Sequence, residues 1–228
     1  MRLDRFLANN SSLTRKQVKR AIAKGDVMVH GVCAVDPSIH VSQSPTIELC
    51  GEPIFERGLG YFMLNKPQGV VCSNTHRDLP TIFEFLDEDF PNLHAAGVLD
   101  AEISGLVLVT GDGDWSHRIT AAKNNHLHQF AISTAEFITE KMIDKLRSGA
   151  FLEKERIRAQ PAEIAVISKD EITLRTPLGR SSHVRQMLKA VNNKADRIHR
   201  IGIGSISLDT DLMEGEYRAL TPSEIADV

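Results

Sequence analysis

A carboxylate next to a predicted buried strand is the group in this sequence best placed to react. Asp100 lies between Gly97 and Gly105, and the apolar run 106–109 predicts a strand buried on both faces. The two glycines allow backbone geometries and close approaches that a side chain would block. Such a position would hold an acid at a rigid edge. An isolated Asp near Gly more often closes a turn, so the rest of the chain must decide between the two interpretations.

Length and composition allow one substantial core and a second, smaller one, because the chain has 228 residues and is 42% hydrophobic. The first residues lack the apolar run of a signal peptide, and no stretch approaches the roughly 18 apolar residues that suggest a membrane-spanning helix. We therefore expect a soluble cytoplasmic protein. Cys33, Cys50 and Cys72 have neither a disulfide nor a zinc-site spacing, so we expect reduced, buried thiols.

The formal net charge of −3 conceals a basic N-terminal segment. Residues 1–31 contain seven Lys and Arg against two Asp, a local charge of +5, so the remaining chain carries −8. A small basic module joined to a larger acidic body suggests that the module binds a polyanion, and nucleic acid is the natural candidate. A solvated charged surface without a ligand is the alternative.

Local signals predict two short helices in this basic segment. Thr14 is a suitable N-cap for a second helix that ends at Lys24, with Gly25 at the C′ position. Helical spacing gathers four cations on one side of that helix, which favours a phosphate-binding surface. Those four residues are Arg15, Lys16, Lys19 and Arg20.

A hairpin is predicted after the helices, with strands at 27–29 and 32–35 around a turn at 30–31, followed by another strand at 46–49. The segment resembles the α-L RNA-binding module, which occurs in a ribosomal small-subunit protein and in several RNA-modifying enzymes. The resemblance is carried by Arg2-Leu-Asp-Arg-Phe-Leu, Thr14-Arg-Lys-Gln-Val and Gly25-x-Val-x-Val-x-Gly31. It implies binding to structured RNA mainly through phosphates and shape. The RNA contacts expected from it are Arg2, Arg5, Arg15, Lys16, Lys19 and Arg20.

Gly and Pro residues in 51–60 predict a linker, so we place an α-L RNA-binding domain at 1–57 and a larger domain at 58–228. The predicted fold class is α+β, with a small αα-ββ module followed by a domain built on a large mixed or antiparallel sheet. The strands predicted in the larger domain lie at 61–64, 106–110, 129–133, 162–167, 171–175, 198–201 and 206–208. The helices predicted there lie at 81–86, 115–121, 140–148 and 183–191.

The larger domain carries motifs that resemble the RsuA-type pseudouridine synthases, the branch that modifies ribosomal RNA. The motifs are Tyr61-Phe-Met-Leu-Asn-Lys-Pro-Gln-Gly, Leu93-His-Ala-Ala-Gly-Val-Leu-Asp, the segment 105–120, Gly179-Arg180, Val184-Arg185 and Gly215-Glu-Tyr-Arg-Ala-Leu-Thr. The resemblance extends over nearly the whole chain and is closest to the small-subunit branch. It implies a monomeric enzyme that acts on small-subunit (16S) ribosomal RNA or its assembly intermediate, with no membrane partner.

The implied reaction breaks the bond between C1′ and N1 of a uridine, turns the uracil and joins C5 to C1′, so no cofactor and no metal are expected. Asp100 matches the catalytic aspartate of the family. Its carboxylate can add at C1′ or take a proton from C2′, and both routes remain open. Arg185 matches the basic partner of the family, which would favour the ionised form of the acid.

The reacting uridine must leave its stack, so an apolar pocket should receive the flipped base. Phe130, Leu99 and Met187 are the expected wall residues, and Arg180 is assigned to substrate binding with them.

Several positions near Asp100 depart from the family pattern. Val98 stands where the family usually has Arg, residues 101–104 replace an Asp-Thr-Thr-like sequence, and Phe130 replaces a tyrosine, with loss of its hydroxyl. Gln186 stands where a second Arg is usual. Two hypotheses follow: an active ribosomal RNA pseudouridine synthase, or an RNA-binding homologue with the synthase fold and weak or no catalysis. We expect the first, because the acid and its cation are both present.

Histidines near these motifs offer no metal site. His94, His117, His126 and His128 lack carboxylate or Cys partners at a ligand spacing, so we expect exposed histidines that face RNA rather than metal ligands. The segment 112–114 is too short for a calcium loop and predicts a turn after the strand.

Overall fold

The structure, a computed structural model, describes residues 1–11, 13–41, 46–54, 58–87, 90, 92–121, 124, 126–154 and 156–227. The chain divides into two compact units, which are Met1–Gly60 with Glu88–Leu93, and Tyr61–Asp87 with His94–Val228. The domain boundary predicted between residues 57 and 58 touches residues outside the described part and stays a prediction.

Two helices open the first unit, α1 (Leu3–Asn10) and α2 (Arg15–Lys24). Thr14 caps α2 as predicted: its hydroxyl accepts a hydrogen bond from the Gln17 amide at 3.4 Å, and the Gln17 side chain accepts one from the Thr14 amide at 2.8 Å. Gly25 ends the helix with a φ of 83°, in the left-handed region that glycine adopts without a steric penalty. The prediction for this helix is confirmed at both ends.

A four-stranded antiparallel sheet completes the unit. Its strands are β1 (Val27–Val29), β2 (Val32–Cys33), β3 (Ile47–Leu49) and β4 (Glu52–Ile54), in the order β2-β1-β3-β4. The predicted hairpin is confirmed, although β2 is shorter than expected. The prediction of a linker over 51–60 is wrong for β4. Cys50 and Gly51 have φ values of 54° and 84°, so they form the two-residue left-handed turn that joins β3 to β4.

The core of this unit lies between the helices and the sheet, where Leu3, Leu7 and Ile22 are fully buried. The prediction of buried thiols is wrong for Cys33 and Cys50, which are both exposed. Cys33 lies on the edge strand β2 and Cys50 lies in a turn, and neither position is covered by an apolar layer.

The second unit contains most of the regular structure. Its strands are β5 (Tyr61–Lys66), β6 (His94–Ala96), β7 (Ser104–Thr110), β8 (His128–Thr134), β9 (Phe151–Leu152), β10 (Ile157–Arg158), β11 (Glu163–Val166), β12 (Glu171–Thr176), β13 (Ala195–Ile203), β14 (Ile206–Ser207) and β15 (Tyr217–Ala219). Its helices are a 3-10 helix (Ile82–Phe85), α3 (Gly113–Thr120), α4 (Glu140–Arg147), α5 (Ser181–Ala190) and α6 (Pro222–Ala226).

Nine of these strands form one mixed sheet, in which β11-β12-β8-β13-β7-β5-β15 follow one another while β14 pairs with β13 and β6 with β7. The contact between β7 and β13 is parallel, and the other pairings in this sheet are antiparallel. Strands β9 and β10 form a separate pair. The predicted α+β class with a large mixed sheet is confirmed.

Short elements account for most differences from the predicted structure. The sequence did not predict β6, β9, β10, β15 or α6, because two to five residues carry little periodicity and depend on pairing partners far along the chain. Helix α3 begins at Gly113, where a turn was predicted. Asp112 caps that helix by accepting hydrogen bonds from the Asp114 and Trp115 amides at 3.0 and 3.1 Å.

Strand β7 runs through the centre of this sheet and is buried along its whole length, as its apolar sequence predicts. Gly105 lies opposite Arg200 where β7 and β13 run parallel, and its φ is 108°. A Cβ atom at this position would lie 2.2 Å from the carbonyl oxygen of Arg200. Only glycine therefore allows the two strands to approach here, which confirms the predicted close approach.

We expect Gly105→Ala to lower the free energy of unfolding by at least about 2 kcal/mol, because the added methyl group meets backbone atoms and the φ is unfavourable for alanine. Urea unfolding followed by circular dichroism measures the change. Gly113→Ala is the matched control, since its Cβ would have no neighbour within 4 Å and its position is helical. Equal stability of the two variants would contradict the packing described for Gly105.

Candidate active site

Asp100 lies in the segment 97–103, which connects β6 to β7 and is called the catalytic loop below. Its carboxylate side chain is exposed, and its carbonyl oxygen accepts a hydrogen bond from the Ile103 amide at 3.1 Å, which closes a turn. Leu99 is 1% exposed, whereas Val98 is 60% exposed. The buried side chain of Leu99 thus anchors the loop, while its neighbours Val98 and Asp100 face solvent. A rigid loop with an exposed carboxylate suits an acid that must meet a bound substrate.

A buried lysine supports the loop from below. Lys66, at the end of β5, is fully buried, and its ammonium group donates hydrogen bonds to the carbonyl oxygens of Val70 at 2.7 Å, Pro67 at 2.9 Å and Ala101 at 3.4 Å. Ala101 directly follows the candidate acid, and its carbonyl also accepts from the Gly69 amide at 2.7 Å. The segment after β5 and the catalytic loop are therefore tied together at one carbonyl.

A buried arginine links the start of the same loop to strand β7. Arg200, on β13, is fully buried; its Nε donates to the carbonyl oxygen of Leu106 at 2.8 Å, and its Nη2 donates to that of Gly97. Gly97 has a φ of 91° and no side chain, which leaves room for the guanidinium. Cys72 adds a weaker anchor, since its sulfur accepts a hydrogen bond from the Leu99 amide at 3.4 Å.

Both buried cations depend on backbone carbonyls, because neither forms an ion pair with a carboxylate in the part of the chain that the structure describes. Burial lowers the pKa of Arg200 to about 9, so the guanidinium remains charged at neutral pH. Burial also lowers the pKa of Lys66, and negative charge on Cys72 and Asp100 acts in the opposite direction. The candidate acid is thus close enough to interact electrostatically with a cation that the sequence analysis did not single out.

The predicted cation, Arg185, lies on α5 and is 42% exposed. Its guanidinium forms an ion pair with Glu102, two residues after the candidate acid. Glu102 itself is 72% exposed, so this pair is screened by solvent and is worth little to stability. The role of Arg185 as the partner of Asp100 stays a prediction.

The residues predicted to receive the base lie in the interior. Phe130, Leu99 and Met187 are at most 1% exposed, so the structure places them beneath the surface rather than on an open wall. Arg180, by contrast, is exposed at the N-cap of α5. Their substrate-binding roles stay predictions.

The prediction of exposed histidines is wrong for His128, which is 8% exposed. Its ring lies against Gly179, where a Cβ atom would be 2.4 Å from Nε2. Burial, helped by the positive charge of Arg200, lowers the pKa of His128 to about 3, so the ring is neutral at neutral pH. The buried face of β8 takes up this histidine because alternate residues of the strand point to the same side.

Sequence reasoning missed the roles of Lys66, Arg200 and Cys72. A signal existed for Arg200, since Ile198 and Gly202 flank it at a spacing of two and share its buried face, where a cation is unusual. Lys66 belongs to a recognised motif, but only the fold shows which carbonyls it binds. Within the described ranges, no three His, Cys, Asp or Glu side chains lie close enough together to hold a metal ion. No helix in those ranges is long and apolar enough to cross a membrane.

We expect Arg200→Met to destabilise the protein and loosen the catalytic loop. Each buried carbonyl left without its donor costs about 1–3 kcal/mol, partly offset because the buried charge is also removed. Urea unfolding measures the stability, and amide hydrogen exchange of residues 98–103 measures the loop. If Arg200→Met does not fold, Arg200→Lys tests the same point, because one ammonium group cannot reproduce the fork between two carbonyls.

Arg175→Met is the control, since that arginine forms an exposed ion pair with Glu163 and should contribute less than about 1 kcal/mol. Unchanged exchange in the catalytic loop of the Arg200 variants would contradict the anchoring role.

Comparison with known proteins identifies the family of this chain. A family model described as RNA pseudouridylate synthase matches residues 60–190. The chain is 41% identical to a ribosomal small subunit pseudouridine synthase A of Haemophilus influenzae, with 99% of this chain and 98% of the relative covered. It is 38% identical to the protein of that name in Escherichia coli, with 100% of both chains covered.

A crystal structure described as that of a pseudouridylate synthase superposes with a TM-score of 0.70 at 39% identity, and the match covers 100% of this chain and 99% of the other. Sequence and fold therefore agree over the full length of the chain, and the protein belongs to the RNA pseudouridylate synthase family of isomerases.

Proposed function

We propose that this protein isomerises a uridine of small-subunit ribosomal RNA to pseudouridine, and that Asp100 is its catalytic carboxylate. The observation that carries the proposal is an exposed acid on a loop whose backbone is held by Lys66 and Arg200. The relatives named as small-subunit enzymes, aligned over the whole chain, support the choice of RNA.

The reaction rearranges bonds within one nucleotide and needs no external reagent. The carboxylate of Asp100 either adds to C1′ as the bond to N1 breaks, or removes a proton from C2′. The uracil then turns and C5 bonds to C1′. In the first route the bond between the carboxylate and C1′ breaks at this point, and in the second route the proton returns to C2′. In both routes the proton on C5 is lost and N1 gains one, so atoms and electrons balance. Anchoring the loop lets the acid meet C1′ or C2′ without a reorganisation of the backbone.

The basic surface of α2 supplies the proposed RNA affinity. Its four cations are exposed, while Val18, Ala21 and Ile22 on the opposite side are buried. Arg2 differs from them because its guanidinium forms two hydrogen bonds of 3.0 Å with the carboxylate of Asp4, which neutralises part of its charge. We therefore assign the main phosphate contacts to α2, that is to Arg15, Lys16, Lys19 and Arg20.

A second candidate function is RNA binding without efficient catalysis. Three observations favour it: Phe130 has no hydroxyl group, Arg185 forms its ion pair with Glu102, and the apolar Val98 stands exposed beside the acid. The two functions make the same prediction for RNA affinity and opposite predictions for the modification.

We expect wild-type protein to form pseudouridine in small-subunit ribosomal RNA or its assembly intermediates. We expect Asp100→Asn to lower the rate of this reaction about 10²- to 10⁴-fold, which is the usual contribution of a positioned acid or base. Pseudouridine mapping measures the product, and RNA binding of both proteins is measured in parallel. Asp196→Asn, at an exposed position of β13, controls for the loss of one negative charge. If wild type binds the RNA but leaves no mark, the second candidate function is correct.

Replacing Arg15, Lys16, Lys19 and Arg20 with Gln should weaken RNA binding and flatten its salt dependence. Each lost phosphate contact removes about 0.7–0.9 from the slope of log K against log salt concentration. Fluorescence anisotropy at several KCl concentrations gives this slope. Lys141→Gln, an exposed change on α4, serves as the reference for an unrelated cation. An unchanged slope in the α2 variant would refute the assignment.

A further inference from the structure

A cavity of about 590 Å³ lies beside the catalytic loop in the second unit. Its wall includes Gly97 and Val98 of the loop, and residues 177–180, which lead into α5. Residues of β6, α3, β8 and α5 line the remaining sides, namely Ala95, Ser116, Thr120, His128 and His183. Clefts of this size are typical of small-ligand sites. Asp100 follows Val98 by two residues, so the cavity adjoins the proposed reaction centre within about 7 Å of chain.

The charge of this cavity has one sign. No Asp or Glu is among its lining residues, whereas Arg180 is. The guanidinium of Arg180 is exposed and forms no hydrogen bond or ion pair with any residue that the structure describes. An exposed cation without a carboxylate partner at the edge of a cleft is available to an anion.

The start of α5 reinforces this preference. The helix is ten residues long, its N-cap is Arg180, no side chain caps it and its first turn contains no acid. Its first backbone amides and the positive end of its dipole therefore favour a negative group beside Arg180. Phosphate oxygens match this combination of a guanidinium and helix amides.

A buried polar side chain with an unpaired ring nitrogen lies in the same wall. His128 is more than nine-tenths buried and lines the cavity, and its Nδ1 has no hydrogen-bond partner in the described part of the chain. Its ring lies against Gly179, directly before Arg180. Buried polar atoms normally have partners, so this unpaired nitrogen is an unusual feature of the wall. The neutral imidazole makes the wall more polar without adding charge.

The remaining wall is apolar. Val98 is 60% exposed, and Pro177 and Leu178 are half-buried around the same space. An anion site joined to an exposed apolar surface matches a nucleotide, whose phosphate is charged and whose base is flat and largely apolar. A metal ion or a free inorganic anion would leave this apolar surface uncovered.

We infer that this cavity binds the RNA nucleotide next to the reacting uridine, with its phosphate at Arg180 and the start of α5 and its base against Val98 and Leu178. The inference rests on the proposed function, because it takes RNA as the substrate. It assigns to Val98 a contact with the neighbouring nucleotide rather than with the uracil that reacts.

The test uses Asp100→Asn protein, so that binding is measured without chemistry. The probe is a single-stranded RNA of ten nucleotides with one uridine, and affinity is measured by fluorescence anisotropy between 0.05 and 0.3 M KCl. In this background, Arg180→Gln should lower the salt slope by about 0.7 and weaken binding about fivefold at 0.1 M. Arg158→Gln, an exposed cation outside the cavity wall, is the charge-matched control and should leave both quantities unchanged.

The base contact is tested on the RNA. Two further probes each lack one base, either the base on the 5′ side of the uridine or the base on its 3′ side. One of these two probes should bind more weakly than the complete RNA. Val98→Glu should remove this difference in affinity. Uridine 5′-monophosphate alone is the competing probe, and binding as tight as that of the oligonucleotide would assign the cavity to a free nucleotide and overturn the inference. Equal slopes for Arg180→Gln and Arg158→Gln would overturn it as well. Failure of the proposed function is separate, because it appears as absent pseudouridine with wild-type protein.

Discussion

The geometry of the candidate site depends on two buried cations that bind backbone carbonyls. Arg200 joins the start of the catalytic loop to strand β7, which follows the loop, and Lys66 binds the loop at Ala101, so the main chain around Asp100 has little freedom to move. Burying a charge costs several kcal/mol unless hydrogen bonds replace the lost hydration. Five carbonyl contacts supply part of that replacement here, while Nη1 of Arg200 has no hydrogen-bond partner among the described residues. Two cations held without carboxylate partners also leave a positive field beneath the acid.

The same two residue types act differently in the two units. On α2 the cations are exposed, and their proposed role is to attract phosphates from a distance. In the second unit Lys66 and Arg200 are buried, and they hold the backbone through hydrogen bonds to carbonyl oxygens. Arg180 is intermediate, because it lies at a helix terminus beside a cavity and faces solvent. The roles proposed for these cations are RNA affinity, positioning of the loop and contact with the substrate. These roles follow from how deeply each cation is buried and which groups it contacts, and not from whether it is Lys or Arg.

Close packing limits how this arrangement can vary. Gly105 permits the parallel contact between β7 and β13, and Gly97 leaves space for the guanidinium of Arg200. At the outer side of the loop the constraint is weaker, since Val98 and Glu102 are both exposed. Two departures from the family pattern, Val98 and Glu102, occur at these exposed positions, whereas Phe130 is a departure in the interior. The loop can thus keep its shape even where its surface chemistry differs.

The sequence by itself determined the elements with local signals. Thr14 and Gly25 delimit α2 through hydrogen bonds within a few residues, and the apolar run of β7 predicts the buried strand that is observed. It also marked Asp100, since two glycines and a strand surround it. The tertiary structure alone decided which groups support that acid, because Arg200 lies 94 residues from Leu106 and 103 from Gly97 along the chain. No local pattern encodes contacts of that separation, for they arise only when β13 is placed beside β7.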